Sequence, residues 1–237
     1  MSIALVAGGT SGIGLATARR LRRQGYDVHV TGRGKERLDD VAVTDPELTG
    51  HQADGGDVVA MASLAESLGT VDVLVVSLSG TEGMGPIEAL DLAMLRRAFD
   101  AKFWAHLTTI QAVLPHLAAD GSITLLSAIT ARAAMAGTAG IGALNAAIEA
   151  LVKPLAVELA PRRVNAVSPG VVDTAWWSGF PEEMREGFFA QTAAAIPARR
   201  VATADDVAEV VTLAATNRNL TGTVLEADGG ARLVSLG

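Results

Sequence analysis

The stretch Ala7-Gly8-Gly9-Thr10-Ser11-Gly12-Ile13-Gly14 lies between an apolar run, Ile3-Ala4-Leu5-Val6, and a segment with helical spacing that begins at Leu15. A strand, a glycine turn and a helix in this order form an anion-binding site, because backbone N–H groups and the helix dipole both favour negative charge there. The glycines let the backbone turn sharply and come within contact distance of a phosphate. A glycine-rich turn alone is weak evidence, but this position indicates a phosphate-binding loop.

Length and charge restrict the fold and the partners. The chain has 237 residues, of which 49% are hydrophobic, so it can build one large core. No linker, repeat or composition shift marks a boundary, and we therefore predict one domain over residues 1–237. The net charge of −7 argues against nucleic acid or an anionic membrane as the main partner. A small-molecule substrate of unknown identity is the expected partner.

The remaining composition indicates a cytoplasmic protein. The chain contains no cysteine, so disulfide and thiol chemistry are excluded. The first residues lack a basic segment followed by a long apolar one, and we read no signal peptide there. No stretch is expected to supply the roughly 20 apolar residues of a membrane span. No His/Asp/Glu cluster has the spacing of metal ligands, so no metal is predicted.

Short apolar runs alternate with segments of helical spacing along the whole chain. Continuous apolar strands in such an alternation predict βαβ units and a parallel sheet covered on both faces, that is, a doubly wound α/β fold with ligands at the carboxyl ends of the strands. The predicted strands are 2–7, 26–31, a weaker 48–53, 71–78, 122–127, 163–168 and 222–226. The predicted helices include 15–24, 57–68, 91–117, 140–160 and 204–215.

Residues after three of these strands are candidate ligands of a dinucleotide. Arg33 follows the second strand, where an acidic residue would bind a ribose 2′-hydroxyl and an arginine suits a 2′-phosphate. Arg33 therefore favours NADP(H), the alternative being a solvated loop arginine. Asp54 could accept a hydrogen bond from an adenine amino group, or could equally be an N-cap or turn residue. Ser79 and Gly80 supply small residues after the fourth strand.

Four motifs together carry a resemblance to a known family. They are Gly8-Gly9-Thr10-Ser11-Gly12-Ile13-Gly14, Asp72-Val73-Leu74-Val75 before the Gly80 turn, Arg163-Val164-Asn165-Ala166-Val167-Ser168-Pro169-Gly170, and Asp228-Gly229-Gly230. On these motifs the chain resembles the short-chain dehydrogenase/reductase family along nearly its whole length.

The resemblance implies a fold, a cofactor and an assembly. It implies a Rossmann-like, mainly parallel sheet of about seven strands, a nicotinamide dinucleotide, and a homodimer or homotetramer. It also implies that Gly8, Thr10, Ser11, Gly12, Ile13 and Gly14 hold the dinucleotide, together with Pro169 and Gly170. Thr174 would contact the nicotinamide carboxamide or the diphosphate; the alternative is a simple helix cap.

The family's usual catalytic residues are not found at the matching positions. The family transfers hydride with a Tyr acid/base, a Lys four residues later that lowers the pKa of that Tyr, a Ser that orients the carbonyl, and a helical Asn. Ile141 stands at the Tyr position, Asn145 at the Lys position and Ala128 at the Ser position, with Ser127 just before it. The single tyrosine, Tyr26, is far from this site.

Lys102 stands at the position of the relay Asn, so a cation and an amide have exchanged places with Asn145. If both side chains face one pocket, Lys102 could bind the nicotinamide ribose or act as a proton donor, provided that desolvation lowers its pKa. The alternative is a lysine that extends out of its helix into solvent. We therefore name Lys102, Ser127 and Asn145 as candidate catalytic residues.

Two further groups are candidates for contact with substrate. Ser127 and Thr138 are the nearest hydroxyls for orienting it, although each could simply bond to backbone. Trp176, Trp177 and Phe180 lie where the family has a variable lid, and would line an apolar pocket or anchor the loop.

Three functional hypotheses follow. The first is an NADP(H)-dependent oxidoreductase that transfers hydride on a small carbonyl or alcohol with a non-standard proton relay. The second is an inactive dinucleotide-binding homologue that serves as a sensor or partner subunit. The third retains the pocket for isomerisation or dehydration.

Overall fold

A computed structural model describes residues 1–80 and 82–234. The main strands are β1 (Ile3–Ala7), β2 (Asp27–Gly32), β3 (Thr49–Gln52), β4 (Val71–Val76), β5 (Leu117–Leu126) and β6 (Arg163–Pro169). Two short strands follow, β7 (Val172–Asp173) and β8 (Ala202–Thr203), and then β9 (Val224–Ala227).

The helices alternate with these strands. They are α1 (Gly12–Arg23), α2 (Lys35–Thr44), α3 (Val58–Leu68), α4 (Leu92–Phe99), α5 (Ala105–Val113), α6 (Ala139–Glu158), α7 (Glu182–Ala195) and α8 (Ala204–Thr216). A π-helical segment, Asp100–Trp104, joins α4 directly to α5.

The main sheet has seven strands in the order β3-β2-β1-β4-β5-β6-β9, and every neighbouring pair is parallel. This arrangement confirms the doubly wound Rossmann-like fold predicted from the sequence. β7 and β8 form a separate parallel pair outside it. The chain direction across the sheet reverses between β1 and β4, and in such folds the crevice at that point binds the ligand.

The sheet is buried on both faces, which explains the continuous apolar strands. On one face Leu5, Leu74 and Ile123 pack with residues of α3, α5 and α6. On the other face Val6 and Val30 pack with residues of α1, α2 and α8. Strands covered on both sides cannot alternate apolar and polar residues.

Helix α6 has the length and composition of a membrane span, contrary to the expectation from sequence that no segment would. Its 20 residues contain a window of mean hydropathy 1.4. Leu144, Ile148 and Val152 are nevertheless buried in the core cluster beside the sheet. Its apolar character is therefore explained by packing, and Pro154 interrupts neither the helix nor this buried face.

Gly14, in the first turn of α1, packs closely against the backbone of the glycine turn. A Cβ placed on Gly14 would lie 2.2 Å from the Gly8 carbonyl oxygen, whereas one on Gly187 in α7 would meet nothing within 4 Å. We expect Gly14→Ala to lower the free energy of unfolding by about 1–3 kcal/mol, because backbone must move to admit the methyl group. Urea denaturation measures the change.

Gly187→Ala is the matched control, since alanine at an open helical position stabilises by up to about 1 kcal/mol. Equal stability of the Gly14→Ala protein and the parent would contradict the close packing of this turn.

Candidate active site

The glycine turn after β1 forms a cradle of backbone. Gly8 has φ of 79°, and a Cβ there would lie 2.7 Å from the carbonyl oxygen of Ser77 at the end of β4. The N–H groups of Gly8 and Gly9 both donate to the Thr31 carbonyl, which ties the turn to β2. Only glycine combines this conformation with this contact.

The N-terminus of α1 is chemically open to an anion. Ser11 is the N-cap residue, but its side chain makes no capping hydrogen bond, and the first turn contains no acidic residue. Gly12 has φ of 52° and lies near the Thr174 side chain, since a Cβ on Gly12 would be 3.5 Å from it. Backbone donors and the helix dipole therefore fit the diphosphate of a dinucleotide.

Arg33 lies at the carboxyl end of the neighbouring strand β2, on the edge of the same cleft. Its side chain is exposed and forms no hydrogen bond or ion pair within residues 1–80 and 82–234. Its backbone carbonyl accepts a hydrogen bond of 3.1 Å from the Gln52 side chain, which fixes the turn that carries it. The guanidinium fork is thus available to a phosphate.

Asp54, Ser79 and Gly80 lie in the loops after β3 and β4. Asp54 accepts a hydrogen bond of 2.9 Å from the N–H of Gly56, as a turn residue does, and the N-cap of α3 is Asp57. The Ser79 hydroxyl donates to the carbonyl of Gly80. The side chains of Asp54 and Ser79 are exposed beside the crevice. Their contact with a dinucleotide stays a prediction.

Pro169 ends β6, and Gly170 passes close to the last strand. A Cβ on Gly170 would lie 2.9 Å from the Asp228 backbone. Thr174 accepts a hydrogen bond of 3.4 Å from the Trp176 N–H and caps a short 3₁₀ helix, Ala175–Gly179. Thr174 therefore has the capping role considered from sequence, in a position that also faces the glycine turn.

The π-helical segment places Lys102 inside the protein. The segment widens the helix between α4 and α5, and such widened turns are frequent at functional sites. The Lys102 side chain is only 8% exposed, so it does not extend into solvent. Its ammonium group donates to Asn145 Oδ1 at 2.8 Å and to the Ser127 carbonyl at 3.3 Å.

The orientation of the Asn145 amide follows from its partners. The Ile141 carbonyl can only accept, and it lies 2.9 Å from Nδ2, so this atom must be the donor. Nδ2 also donates to Thr130 Oγ1 at 3.0 Å, and Oδ1 faces the Lys102 ammonium. The amide thus joins a buried cation to a hydroxyl.

Burial lowers the pKa of Lys102 to about 8, because the charged form loses its hydration; the Glu149 carboxylate opposes this shift. A pKa near neutrality suits a group that both gives and takes a proton.

His106, one turn beyond Lys102, is completely buried. Burial, assisted by the nearby Lys102 charge, lowers its pKa to about 3, so the ring is neutral. Nδ1 donates to the Lys102 carbonyl at 2.7 Å, while Nε2 has no hydrogen-bond partner among the described residues. His106 therefore supports the backbone of the widened turn without carrying charge.

Ser127 contacts Lys102 through its backbone carbonyl and not through its hydroxyl. Its hydroxyl donates to Glu149 Oε1 at 2.8 Å, whereas its carbonyl accepts from Lys102. Glu149 Oε2 lies 2.7 Å from the Arg132 guanidinium, which also pairs with Glu226. Ser127 thus hydrogen-bonds to a carboxylate that belongs to a series of ion pairs, Glu149–Arg132–Glu226.

At the two positions that match the family's Ser and Tyr by sequence, the side chains are apolar, and Thr138 is buried nearby in the chain. Ala128 begins the turn after β5 and has no polar side-chain atom. Ile141 packs toward the loop after β4, since a Cβ on Gly83 would lie 2.9 Å from its Cγ2. Thr138 is buried, and its hydroxyl donates to the Met135 carbonyl.

Thr130 is a site residue that the sequence did not indicate. It lies in a 3₁₀ turn, Ile129–Ala131, and accepts the hydrogen bond from Asn145. Short irregular turns have no periodicity, so only a deliberate inspection of every hydroxyl between Ala128 and Ile141 could have found it.

Aromatic side chains form a cluster over the region after β7. Trp177 packs against Phe180, Phe188 and Phe189, and Trp176 packs against Trp177 and Phe180. Trp176 Nε1 donates to the Gly80 carbonyl at 3.0 Å, which links the cluster to the loop after β4. The cluster therefore holds apolar side chains beside the loop after β4.

Comparison with known proteins agrees with this geometry. The family model described as "Enoyl-(Acyl carrier protein) reductase" matches residues 7–232. A cis-4-hydroxycyclohexanecarboxylate dehydrogenase of Sinomonas cyclohexanicum is 34% identical, covering 96% of this chain and 95% of its own. A putative ketoacyl reductase of granaticin polyketide synthase from Streptomyces violaceoruber is 31% identical over 98% of this chain and 96% of its own.

A solved structure is equally similar. A small-chain dehydrogenase in complex with NADPH superposes with a TM-score of 0.87 at 34% identity, covering 98% of this chain and 99% of that one. Its bound ligand agrees with the backbone cradle and open helix terminus described above, which fit a nicotinamide dinucleotide. The chain belongs to the short-chain dehydrogenase/reductase family and is an oxidoreductase of that type.

Proposed function

We propose that the protein is an NADP(H)-dependent oxidoreductase that interconverts a small carbonyl compound and its alcohol, with an atypical proton relay centred on Lys102 and Asn145. The observation that carries the proposal is the 2.8 Å hydrogen bond between these two buried side chains. This bond supports a relay in which a buried cation and an amide act together.

The bound dinucleotide supplies hydride. The chain's own residues bind and orient the reactants: the glycine turn and α1 N-terminus hold the diphosphate, Arg33 binds the 2′-phosphate, and Thr174 contacts the nicotinamide end. Lys102 gives the proton in reduction and takes it in oxidation. Asn145 fixes the Lys102 ammonium, and the aromatic cluster excludes water from the apolar part of the substrate.

The names of two relatives suggest the first substrates to try. One acts on a hydroxycyclohexanecarboxylate and the other is called a ketoacyl reductase. Turnover of 4-oxocyclohexanecarboxylate, ketoacyl thioesters and simple ketones, followed by nicotinamide absorbance, tests the proposal. Failure to turn over any of these, or the matching alcohols, would favour the inactive homologue, which nothing in the comparisons supports.

Arg33 is expected to select NADPH over NADH. A charge-assisted hydrogen bond to phosphate contributes about 1.5–3 kcal/mol, so Arg33→Ala should weaken NADPH binding roughly 10- to 100-fold and leave NADH binding within about twofold. Fluorescence titration with both dinucleotides measures this.

Arg218→Ala is the control, because Arg218 is also exposed but precedes β9 and therefore lies at the opposite edge of the sheet. Equal loss of NADH and NADPH affinity in the Arg33 variant would show that this residue does not read the 2′-phosphate.

The pH dependence of turnover is expected to follow Lys102. Reduction needs the ammonium form, so kcat for reduction should fall as the pH rises through about 8; oxidation needs the amine, so its kcat should rise over the same range. Lys102→Met should lower kcat at least about 100-fold and remove this ionisation. Steady-state rates across pH check both effects, with Lys153→Met, an exposed lysine of α6, as control.

Stability gives a readout that does not need turnover. The folded-state pKa is about 8 and the ordinary value is 10.5, so the unfolded chain binds more protons between these values. The free energy of unfolding of the parent should therefore rise, relative to Lys102→Met, as the pH increases through this window. A constant difference would contradict a buried, titrating Lys102.

We also propose a homo-oligomer in the cytoplasm. Trp104 is 55% exposed and Leu92 is 59% exposed, and they line a groove with Leu95 and Phe99 on the α4 surface. A second copy of the chain would cover this apolar groove. Trp104→Glu should convert the oligomer to monomers in sedimentation velocity, while Met184→Glu on α7 should not. A monomeric parent would refute the proposal.

A further inference from the structure

We propose that Thr130 donates a hydrogen bond to the carbonyl oxygen of the substrate, and so takes over the orienting role for which the sequence offered Ser127 and Thr138. This inference rests on the proposed function and adds a substrate contact to it. The hydroxyl groups of Ser127, Thr130 and Thr138 are the candidates for this contact.

Two of the three hydroxyl hydrogens are already used inside the protein. The Ser127 hydroxyl donates to the Glu149 carboxylate at 2.8 Å, a charge-assisted bond that a neutral carbonyl would not displace. The Thr138 hydroxyl donates to the Met135 carbonyl at 2.8 Å, and its side chain is buried. Neither group has a hydrogen to offer to a substrate.

The Thr130 hydroxyl differs from these two. Its oxygen accepts a hydrogen bond, but its hydrogen is donated to no group among the described residues. Asn145 Nδ2 donates to Thr130 Oγ1, and the direction of this bond is fixed because Nδ2 also donates to the Ile141 carbonyl. Within residues 1–80 and 82–234, no group accepts a hydrogen bond from Thr130 Oγ1. Thr130 is partly exposed and lies in the turn after β5, at the carboxyl edge of the sheet that also carries the glycine turn, so we take its hydrogen to be available to a substrate there.

The bond from Asn145 also makes Thr130 a better donor. A hydroxyl that accepts a hydrogen bond is polarised and donates more strongly, and this effect increases where the surroundings exclude water. Asn145 is itself held by the Lys102 ammonium at 2.8 Å. The series Lys102, Asn145, Thr130 therefore directs positive potential from a buried cation toward the Thr130 hydrogen.

This arrangement fits a carbonyl substrate. When hydride adds to the carbonyl carbon, the π electron pair moves onto oxygen, and the Thr130 hydroxyl stabilises the negative charge that develops there. Lys102 supplies the proton, so that its N–H bond breaks and an O–H bond forms, while the C=O π bond is replaced by a C–H bond to the hydride that leaves a C–H bond of the dinucleotide. Thr130 keeps its own proton, because an aliphatic hydroxyl is too weak an acid to give it up.

The test compares Thr130→Val, which keeps the shape and removes the hydroxyl, with Thr130→Ser, which keeps the hydroxyl. Loss of one donor to a developing oxyanion costs about 100- to 1,000-fold in kcat. We expect that loss for Thr130→Val and less than about fivefold for Thr130→Ser, with unchanged NADPH affinity in both. The pH at which kcat is half-maximal should stay at the parent value, because a residue that only held Asn145 would shift the Lys102 titration instead.

A spectroscopic measurement separates this proposal from the proposed function. Isotope-labelled cyclohexanone bound to the NADP⁺ complex should show a carbonyl stretch shifted to lower frequency in the parent and in Thr130→Ser, and a shift mostly lost in Thr130→Val. The same shift without any turnover would support Thr130 while refuting the oxidoreductase activity. An unchanged stretch in Thr130→Val, or a ketone that does not bind, would overturn the role of Thr130.

Discussion

The parallel pairing of β1 with β4 determines where every other part of the site lies. Val6 pairs with Val75 and Ala7 with Val76, so the glycine turn and the loop after β4 leave the sheet side by side. Because the chain winds outward in both directions from this pair, the two loops border the crevice that binds ligands in folds of this type. Glycine is needed at position 8 because these two loops lie so close together that any side chain there would collide with the Ser77 carbonyl.

Within that frame, the site is organised by one buried ammonium group. A buried charge is tolerated only when hydrogen bonds replace its lost hydration. Lys102 meets this requirement with the Asn145 amide and the Ser127 carbonyl, and the widened helical turn at 100–104 brings its side chain to them. The cost of burial appears as a lowered pKa of Lys102, which is the property that the proposed proton transfer needs.

The sheet was predictable because its strands are nearly continuous apolar runs, but two helices were not. In α2 only Val41 is buried, and in α7 only Thr192, so neither helix presents the apolar stripe by which helices are recognised. Val41 attaches α2 to the core, and Phe188 and Phe189 attach α7 to Trp177. The predicted helix over 91–117 was correct in extent up to Val113, but no sequence pattern indicates its π-helical turn.

The candidate site, like the fold, could be predicted from the sequence only in part. The positions of Lys102 and Asn145 follow from family motifs at fixed spacing, so their meeting could be anticipated. The hydrogen-bond partner of the Ser127 hydroxyl is Glu149, which is 22 residues away in sequence and on another element. Whether Thr130 keeps its hydroxyl hydrogen for another acceptor depends on the orientation of the Asn145 amide. Such assignments are properties of a hydrogen-bond network in three dimensions, and local sequence carries little of that information.

The hydrogen bond between Lys102 and Asn145 also limits which single substitutions this pair can accept. Asn145→Lys would place two ammonium groups in a volume where the structure accommodates one, and their repulsion would add to the desolvation of each. Lys102→Asn would instead leave two amides that can bond to each other without charge. The pair therefore accepts the loss of its buried cation far more easily than the gain of a second one, so the dinucleotide cleft can outlast the charge beside it.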